Sequence, residues 1–493
     1  MHAITQIPQT RHRASGVLLH LTSLPGAHER GALGAAARRW IDLIADAGFT
    51  VWQTLPVNPP GEDGSPYFSR SAHAGHVGLI DLDDLQARGW IASDARPHEG
   101  ETLESVRKRK LLEALIGFEN RADDFQRAQF EDFLEQRRDW LGNDALFLAL
   151  RAEHQGAPWW EWRADLRDRK QAALVRARER HHPVIEQFVF EQFLFHLQWQ
   201  SLRAYAHARG VRLFGDIPIY VAHDSVEVWA HREYFLLDAG GMPSVVAGVP
   251  PDYFSQDGQK WGNPLYDWAR LKADGFSWWS ARIRTQLELF DLLRIDHFRG
   301  LESYWEIPAA ASTARDGAWR AAEGAALLEH LRAELQPLPL VAEDLGVITP
   351  EVAALRDRFE LPGMRILQFA FDGSAANAYL PHNHVPNCIV YTGTHDNDTT
   401  PGWYSSLEPA ARVHVDAYFQ GAAQPEATIR AALGSVARLA MIPLQDLLAL
   451  GREARMNTPA TTSGNWNWRF DWSQIPGDFV PRWRTLNALY GRA

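Results

Sequence analysis

Arg294 and Asp296 stand two residues apart at the end of an apolar run, Leu289-Phe290-Asp291-Leu292-Leu293. That run reads as a buried strand. Strand side chains alternate between faces, so the guanidinium and the carboxylate point the same way. A cation at that range favours the ionised carboxylate. An ionised, fixed carboxylate can attack a glycosidic carbon as nucleophile. Taken alone, an Arg-x-Asp pair is more often a structural ion pair, and the balance is changed by what stands further along the chain. Glu343, in Val341-Ala342-Glu343-Asp344-Leu345-Gly346, closes another apolar run. Partial desolvation there raises a carboxyl pKa and suits it to general acid work near neutrality. Asp344 should face the other way. Either residue could instead cap the next helix or bind a backbone N–H. Asp396, in Gly393-Thr394-His395-Asp396-Asn397-Asp398, sits beside a histidine at a third such end. A His-Asp pair can hydrogen-bond vicinal sugar hydroxyls as an oxocarbenium-like charge develops. A metal site is the competing reading, but the spacing matches no zinc signature and there is no EF-hand loop. No G-x-S-x-G elbow supports a serine hydrolase.

These residues need elements to hold them. Eight short apolar runs qualify as strands: Gly16–Leu21, Phe49–Pro56, Val211–Val221, the run ending at Asp296, Leu338–Glu343, Met364–Phe369, Cys388–Asp396 and Leu439–Leu444. Helical patterns over Ala36–Ala47, Pro183–Ala208, Ala321–Glu334 and Thr349–Phe359 separate several of them. Buried strands alternating with helices predict a parallel sheet, and eight fit a (β/α)8 TIM barrel. That fold gathers the C-terminal strand ends, where Asp216, Asp296, Glu343 and Asp396 fall. A doubly wound open sheet is the rival, with its site at one switch point. The connections after the second and third strands, about 150 and about 70 residues, are too long for ordinary loops. The expectation is one catalytic barrel over residues 1–493. Its insertions, at about 57–210 (largely helical) and about 222–288 (a cleft loop region), would form the cleft walls.

Hydrophobic residues make up 46% and charged residues 23% of the 493, an ordinary globular balance. The net charge of −11 argues against a general affinity for nucleic acid or anionic membrane. No apolar run reaches membrane-spanning length, and Met1 to Gly16 holds no signal-type apolar core. The one cysteine, Cys388, can form no internal disulfide. A cytoplasmic enzyme is expected. Twenty Trp is a heavy load that serves a large core, stacking platforms for flat ligand faces such as sugar rings or nucleobases, or both, and the acidic balance disfavours nucleobases.

The set Gly215-Asp216-Ile217-Pro218-Ile219, Arg294-Ile295-Asp296-His297, Glu343-Asp344-Leu345-Gly346 and Thr394-His395-Asp396-Asn397 resembles the conserved regions of the α-amylase clan. Within the clan the chain is similar to the amylomaltases, the 4-α-glucanotransferases of glycoside hydrolase family 77. The similarity extends over Ser65-Pro66-Tyr67, Asp252-Tyr253-Phe254-Ser255, Gln259-Lys260-Trp261-Gly262-Asn263-Pro264, Leu361-Pro362-Gly363-Met364, Arg455-Met456-Asn457-Thr458-Pro459 and Gly464-Asn465-Trp466. Ordinary amylases carry Asn-His four and five residues after the third-strand aspartate, where this chain has Tyr220 and Val221, as the amylomaltases do. Asn58-Pro59-Pro60-Gly61-Glu62-Asp63-Gly64 departs from the Gly-Pro-Thr-Gly of many members, so any secondary glucan contact made there is not carried over.

The resemblance implies Asp296 as nucleophile, Glu343 as acid/base and Asp396 as transition-state stabiliser, with Arg294, His395 and Asp216 supporting the same subsite. Tyr67 and Trp261 would stack on or line the glucan path, unless they are only wall aromatics. Ser65, Asn263, Asn465 and Trp466 would belong to the substrate-binding loops. It further implies α-1,4-glucan donors and acceptors (maltodextrins, glucose), retention of configuration, and neither metal nor cofactor. A hydrolytic amylase and a non-catalytic glucan-binding barrel are the rivals. The second would be expected to lack a catalytic carboxylate, and all three are present.

Overall fold

The computed structural model describes residues 13–26, 31–92, 101–251, 256–461 and 463–493. The motif at 252–255 lies outside the described residues. Eight strands run parallel in one sheet: β1 (Ala14–Leu18), β2 (Val51–Gln53), β3 (Arg212–Ile217), β6 (Leu292–Ile295), β9 (Leu340–Ala342), β10 (Gly363–Ile366), β11 (Cys388–Tyr391) and β12 (Leu439–Pro443). The spatial order is β10-β11-β12-β1-β2-β3-β6-β9. The outer strands meet where the Ala342 N–H donates to Pro362 O at 2.9 Å, which brings the sheet round on itself. The TIM barrel expected from the sequence is therefore the fold, and the open-sheet rival falls.

Every one of the eight predicted runs supplies a barrel strand, because strands buried on both faces are continuously apolar. The strands are shorter than the runs. β3 stops at Ile217, where Pro218 has no N–H to offer the ladder. In Met364–Phe369 the last three residues leave the sheet as a 3₁₀ turn, and the Gln368 amide donates to Asp398 O at 2.8 Å. Gly215 is required where it stands: a Cβ there would lie 2.2 Å from the Phe290 ring.

Between β2 and β3 the chain passes through helices that include Leu103–Arg121, Asp124–Arg137, Leu141–Glu153 and His182–Ala208. Between β3 and β6 it forms β4 (Val245–Val249) and β5 (Gln259–Pro264), then the helix Ser277–Leu289. β4 and β5 pair antiparallel, and β4 also pairs with β7 (Ser303–Pro308), which pairs with β8 (Ala318–Ala321). This four-stranded sheet was not legible in the sequence.

Trp40, Trp52, Trp90, Trp159, Trp199, Trp229, Trp279 and Trp483 are fully buried, so much of the aromatic load is core. Several of these indoles meet a backbone carbonyl, as Trp52 does at Leu19 O (2.8 Å) and Trp199 at Leu289 O (2.8 Å). At the end of the barrel away from the carboxylates, the C-terminal helix Phe479–Leu489 and its tail seal the seam. Ser15 Oγ donates to Asn487 Oδ1 at 2.7 Å. The buried Arg492 guanidinium donates to the carbonyls of Ala14, Leu433 and Ser435 at 2.7–2.8 Å. Among the described residues no helix is long and apolar enough to cross a membrane.

Candidate active site

Sheet register assembles the centre. Asp216 on β3 stands opposite Arg294 on β6, and Ile295 on β6 stands opposite Ala342 on β9. The next residue on each of the latter two strands is Asp296 and Glu343. Neighbouring strands lie about 4.8 Å apart, so these two carboxyls leave the sheet side by side.

Arg294 forks between two carboxylates. Its Nη1 donates to Asp216 Oδ2 at 2.5 Å and its Nη2 to Asp296 Oδ1 at 2.7 Å. Burial opposes the guanidinium charge, but Asp216 and Asp296 outweigh it and hold the group firmly cationic. Planar, two-pronged donation of this kind is what arginine does and lysine cannot. Tyr67 completes the floor: its hydroxyl donates to Asp216 Oδ2 at 2.7 Å and lies 2.9 Å from His395 Nε2. Burial, then the Asp216 charge, pushes the phenol well above its ordinary range, so it stays a donor.

Glu343 is 9% exposed. Its Oε2 accepts the His297 N–H at 2.7 Å and its Oε1 the Leu345 N–H at 2.9 Å. His297 reaches this geometry by adopting left-handed backbone angles, φ 52° and ψ 50°. Such a conformation costs a non-glycine residue about 1–3 kcal/mol, and here it turns an N–H toward the carboxyl. Burial pushes the Glu343 pKa up to about 8; Arg294 and the two N–H donors pull the other way without prevailing, and Asp296 adds to the rise. Asp344 does face away, accepting from Arg356, from Arg365 at 3.4 Å and from the Met364 N–H at 2.6 Å. Gly363 makes room for it, since a Cβ there would stand 2.4 Å from Asp344 Oδ2.

Asp396 lies in the loop after β11. Its Oδ1 accepts from Asn457 Nδ2 at 2.6 Å and lies 3.3 Å from His395 Nε2. Arg455 Nη2 donates to the Asp396 carbonyl at 2.6 Å. The His395 ring stacks on Tyr67, centroids 5.2 Å apart and 16° between planes. Trp466, also left-handed at φ 64°, places its ring 5.8 Å from Tyr67 and 6.0 Å from His395. Trp261 meets the His297 ring edge-on at 4.9 Å.

The structure thus brings together Asp216, Arg294, Asp296, Glu343, His395, Asp396, Tyr67, Trp261 and Trp466. Three other candidates direct their polar groups into the protein. Ser65 Oγ accepts the Tyr67 N–H at 3.3 Å. Asn263 Nδ2 donates to Val221 O at 2.9 Å. Asn465 Oδ1 accepts the Thr458 N–H at 2.9 Å while its Nδ2 donates to Thr461 O at 3.1 Å. Sequence reasoning gave no role to Asn457, Arg455 or the His297 N–H. Arg455 and Asn457 belong to a quoted motif, but only the fold brings them to Asp396.

The arrangement offers a carboxylate bound to a cation, a proton-bearing carboxyl beside it, and a third carboxylate across the barrel mouth. That set can cleave and re-form an acetal bond. Comparison with known proteins gives the same direction. The family model for 4-alpha-glucanotransferases matches residues 19–474. The 4-alpha-glucanotransferase of Thermus thermophilus is 48% identical over 484 residues, 95% of this chain and 96% of that protein. The 4-alpha-glucanotransferase of Synechocystis is 44% identical, over 97% of this chain and 98% of the other. Among solved structures, an amylomaltase from Streptococcus agalactiae in complex with acarbose superposes with a TM-score of 0.93 at 35% identity, over 98% of this chain and 100% of that one.

Proposed function

We propose a retaining glucan transfer at this site, because the chain belongs to the 4-alpha-glucanotransferase family, glycoside hydrolase family 77. Glu343 protonates the glycosidic oxygen of an α-1,4-glucan while Asp296 attacks C1 from the opposite face. The reducing-end fragment leaves and a glycosyl ester remains on Asp296. Glu343, now a carboxylate, takes the proton of the 4-hydroxyl of glucose or another maltodextrin. That oxygen attacks C1, Asp296 departs, and an α-1,4 bond is restored. Asp396 takes sugar hydroxyls in the transition state, held in place by Asn457. Trp261 and Trp466 line the path of the chain, and their stacking and water exclusion favour an acceptor over water. Ser65, Asn263 and Asn465 serve by fixing the loops that carry these rings. A cytoplasmic setting accords with a single, buried cysteine, Cys388.

The observation that carries this reading is the contrast between two carboxyls on neighbouring strands. Asp296 is tied to a guanidinium and its side chain is 32% exposed, while Glu343 is buried and keeps its proton to about pH 8. Environments that differ in this way suit Asp296 to nucleophilic attack and Glu343 to proton transfer. Retention calls for two carboxyls about 5 to 5.5 Å apart, and their place at adjacent strand ends supports that assignment. The test is incubation with maltotriose alone, with chromatography of products, and labelling by a slow fluorinated α-glucosyl donor. Glucose with a ladder of longer maltodextrins, and a label on Asp296, are expected. A rise in reducing ends without longer products, or a label on another carboxylate, would refute the assignment.

A further inference from the structure

Residues 65–76 carry Tyr67 into the site, yet they form no strand or helix. Buried side chains from the helices on either side of β3 set their shape. Ser71 Oγ donates to Asp144 Oδ2, on the helix Leu141–Glu153. The Ala72 N–H donates to Glu227 Oε1 at 2.6 Å, on the short helix Val226–Ala230. Gln286, on the helix Ser277–Leu289, holds the Ala72 carbonyl at 3.1 Å. Asp144 and Glu227 are each 2% exposed, and the Glu227 charge raises the Asp144 carboxyl further. The cation that attracts Glu227 is Arg282, whose guanidinium is bonded to Pro218 O, Ile219 O and the Tyr266 hydroxyl. Glu227 Oε2 is buried without a hydrogen-bond partner. Two buried carboxylates bonded to the adjacent residues Ser71 and Ala72 would repel, and an unpaired charged oxygen in the interior is costly. A single proton between them removes both difficulties and leaves acceptors for Ser71 and Ala72.

We propose that Asp144 and Glu227 form a one-proton carboxyl pair that positions Tyr67, and through it Asp216 and Arg294, for the transfer reaction. The pair touches no substrate. It fixes Ser71 and Ala72, four and five residues beyond Tyr67, and a misplacement on the order of 1 Å at a reacting site is enough to cost a large factor in rate. Burial, followed by the mutual repulsion, raises the Asp144 carboxyl well above its usual range, and burial raises Glu227 to about 7, in line with a retained proton. This inference rests on the reading under Proposed function and deepens it.

A double-mutant cycle with Tyr67→Phe tests it. Glu227→Leu removes the acceptor for Ala72 and should lower kcat for maltotriose disproportionation about tenfold or more, with KM for acceptor glucose little changed. In the Tyr67→Phe background the same change should cost under about twofold, because its route to the site is already cut. Glu227→Gln keeps the acceptor and the neutral form, and should recover most of the loss. An equal loss in both backgrounds, or no rescue by glutamine, overturns the proposal. Should Glu227→Leu fail to fold, infrared difference spectra at neutral pH between the parent and D144N/E227Q decide. A protonated-carboxyl band lost in the variant is expected, and no such loss overturns the shared proton. A parent that makes no longer glucans from maltotriose would defeat the transfer reading alone, since the infrared band is read without turnover.

Discussion

Replacing Glu343 with glutamine isolates how strongly the fold resists the charge of this carboxyl. Burial lifts its pKa from 4.5 to about 8, over the opposing pull of Arg294 and two backbone N–H groups. In the unfolded chain the group releases its proton near its ordinary value. The raised folded value therefore contributes stability that is complete below about pH 4.5 and is lost progressively up to about pH 8. Each pH unit inside that window is worth about 1.4 kcal/mol. Glu343→Gln has no proton to lose. From about pH 5.5 to about pH 7.5 the variant should therefore gain about 3 kcal/mol relative to the parent. Glutamine also turns an NH2 toward one of the two N–H groups now held by Glu343, at His297 or Leu345. That contact costs about 1–3 kcal/mol but does not vary with pH, so it cancels from the slope. Guanidinium denaturation of both proteins across this range, followed by tryptophan fluorescence, measures the slope directly. Parallel stability profiles would mean that folded Glu343 titrates like a solvent-exposed carboxyl, and the account of its acidity would fall. With Glu343 as the proposed general acid, kcat/KM of the parent should decline above about pH 8, as the acid form is lost.

Arg294→Lys should reduce kcat by about 100-fold or more and destabilise the protein by about 3 kcal/mol, because an ammonium cannot fork between Asp216 and Asp296. Steady-state kinetics and thermal denaturation check both, and parental turnover would remove the fork from the mechanism. Asn457→Ala deletes the 2.6 Å donor to Asp396 and should cut kcat about tenfold while stability changes by about 1 kcal/mol or less. A rise in KM with kcat unchanged would place Asn457 outside transition-state stabilisation. Asp296→Asn keeps the volume of the proposed nucleophile and should fold normally with activity lower by several orders of magnitude, as assayed on maltotriose. Dialysis against a chelator should leave transfer unchanged, since protein carboxyls supply acid, base and nucleophile. Metal-reversible inactivation would contradict this.

The charged half of the site was readable because charge at the end of an apolar run is conspicuous. Arg294, Asp296 and Glu343 each follow residues that only a buried strand can use. Tyr67, Trp261 and Trp466 could be named from motifs, but their partners could not. The contact of Tyr67 with Asp216 and His395 depends on a loop held by helices far away in sequence. Ser65, Asn263 and Asn465 illustrate a second limit: small polar side chains bond to whichever backbone passes, and that is a property of the folded loop. The His297 N–H is a third case, since nothing in its side chain announces a left-handed backbone. In the fold, the barrel strands were legible by their unbroken hydrophobicity. The antiparallel sheet was not, because β5 carries Gly262, Asn263 and Pro264 and β8 is exposed along its length. Its order is set by partners from both sides of β6.

The seam between β1 and β12 has a consequence for synthesis. Ala14 pairs with Leu439, and Arg492 later binds the Ala14 carbonyl. A ribosome adding about 5–20 residues per second makes β1 and then needs roughly 20 to 90 seconds to reach its last neighbour. During that interval β2 can cover one side of β1, while the other side shows unpaired N–H and C=O groups to every other nascent chain nearby. The strands β3, β6 and β9, which carry Asp216, Asp296 and Glu343 at their ends, can form their own neighbourhood early, but the barrel closes only when nearly the whole chain has been translated. A messenger that pauses late, or a crowd of chains emerging together, would therefore tax this protein through its oldest strand.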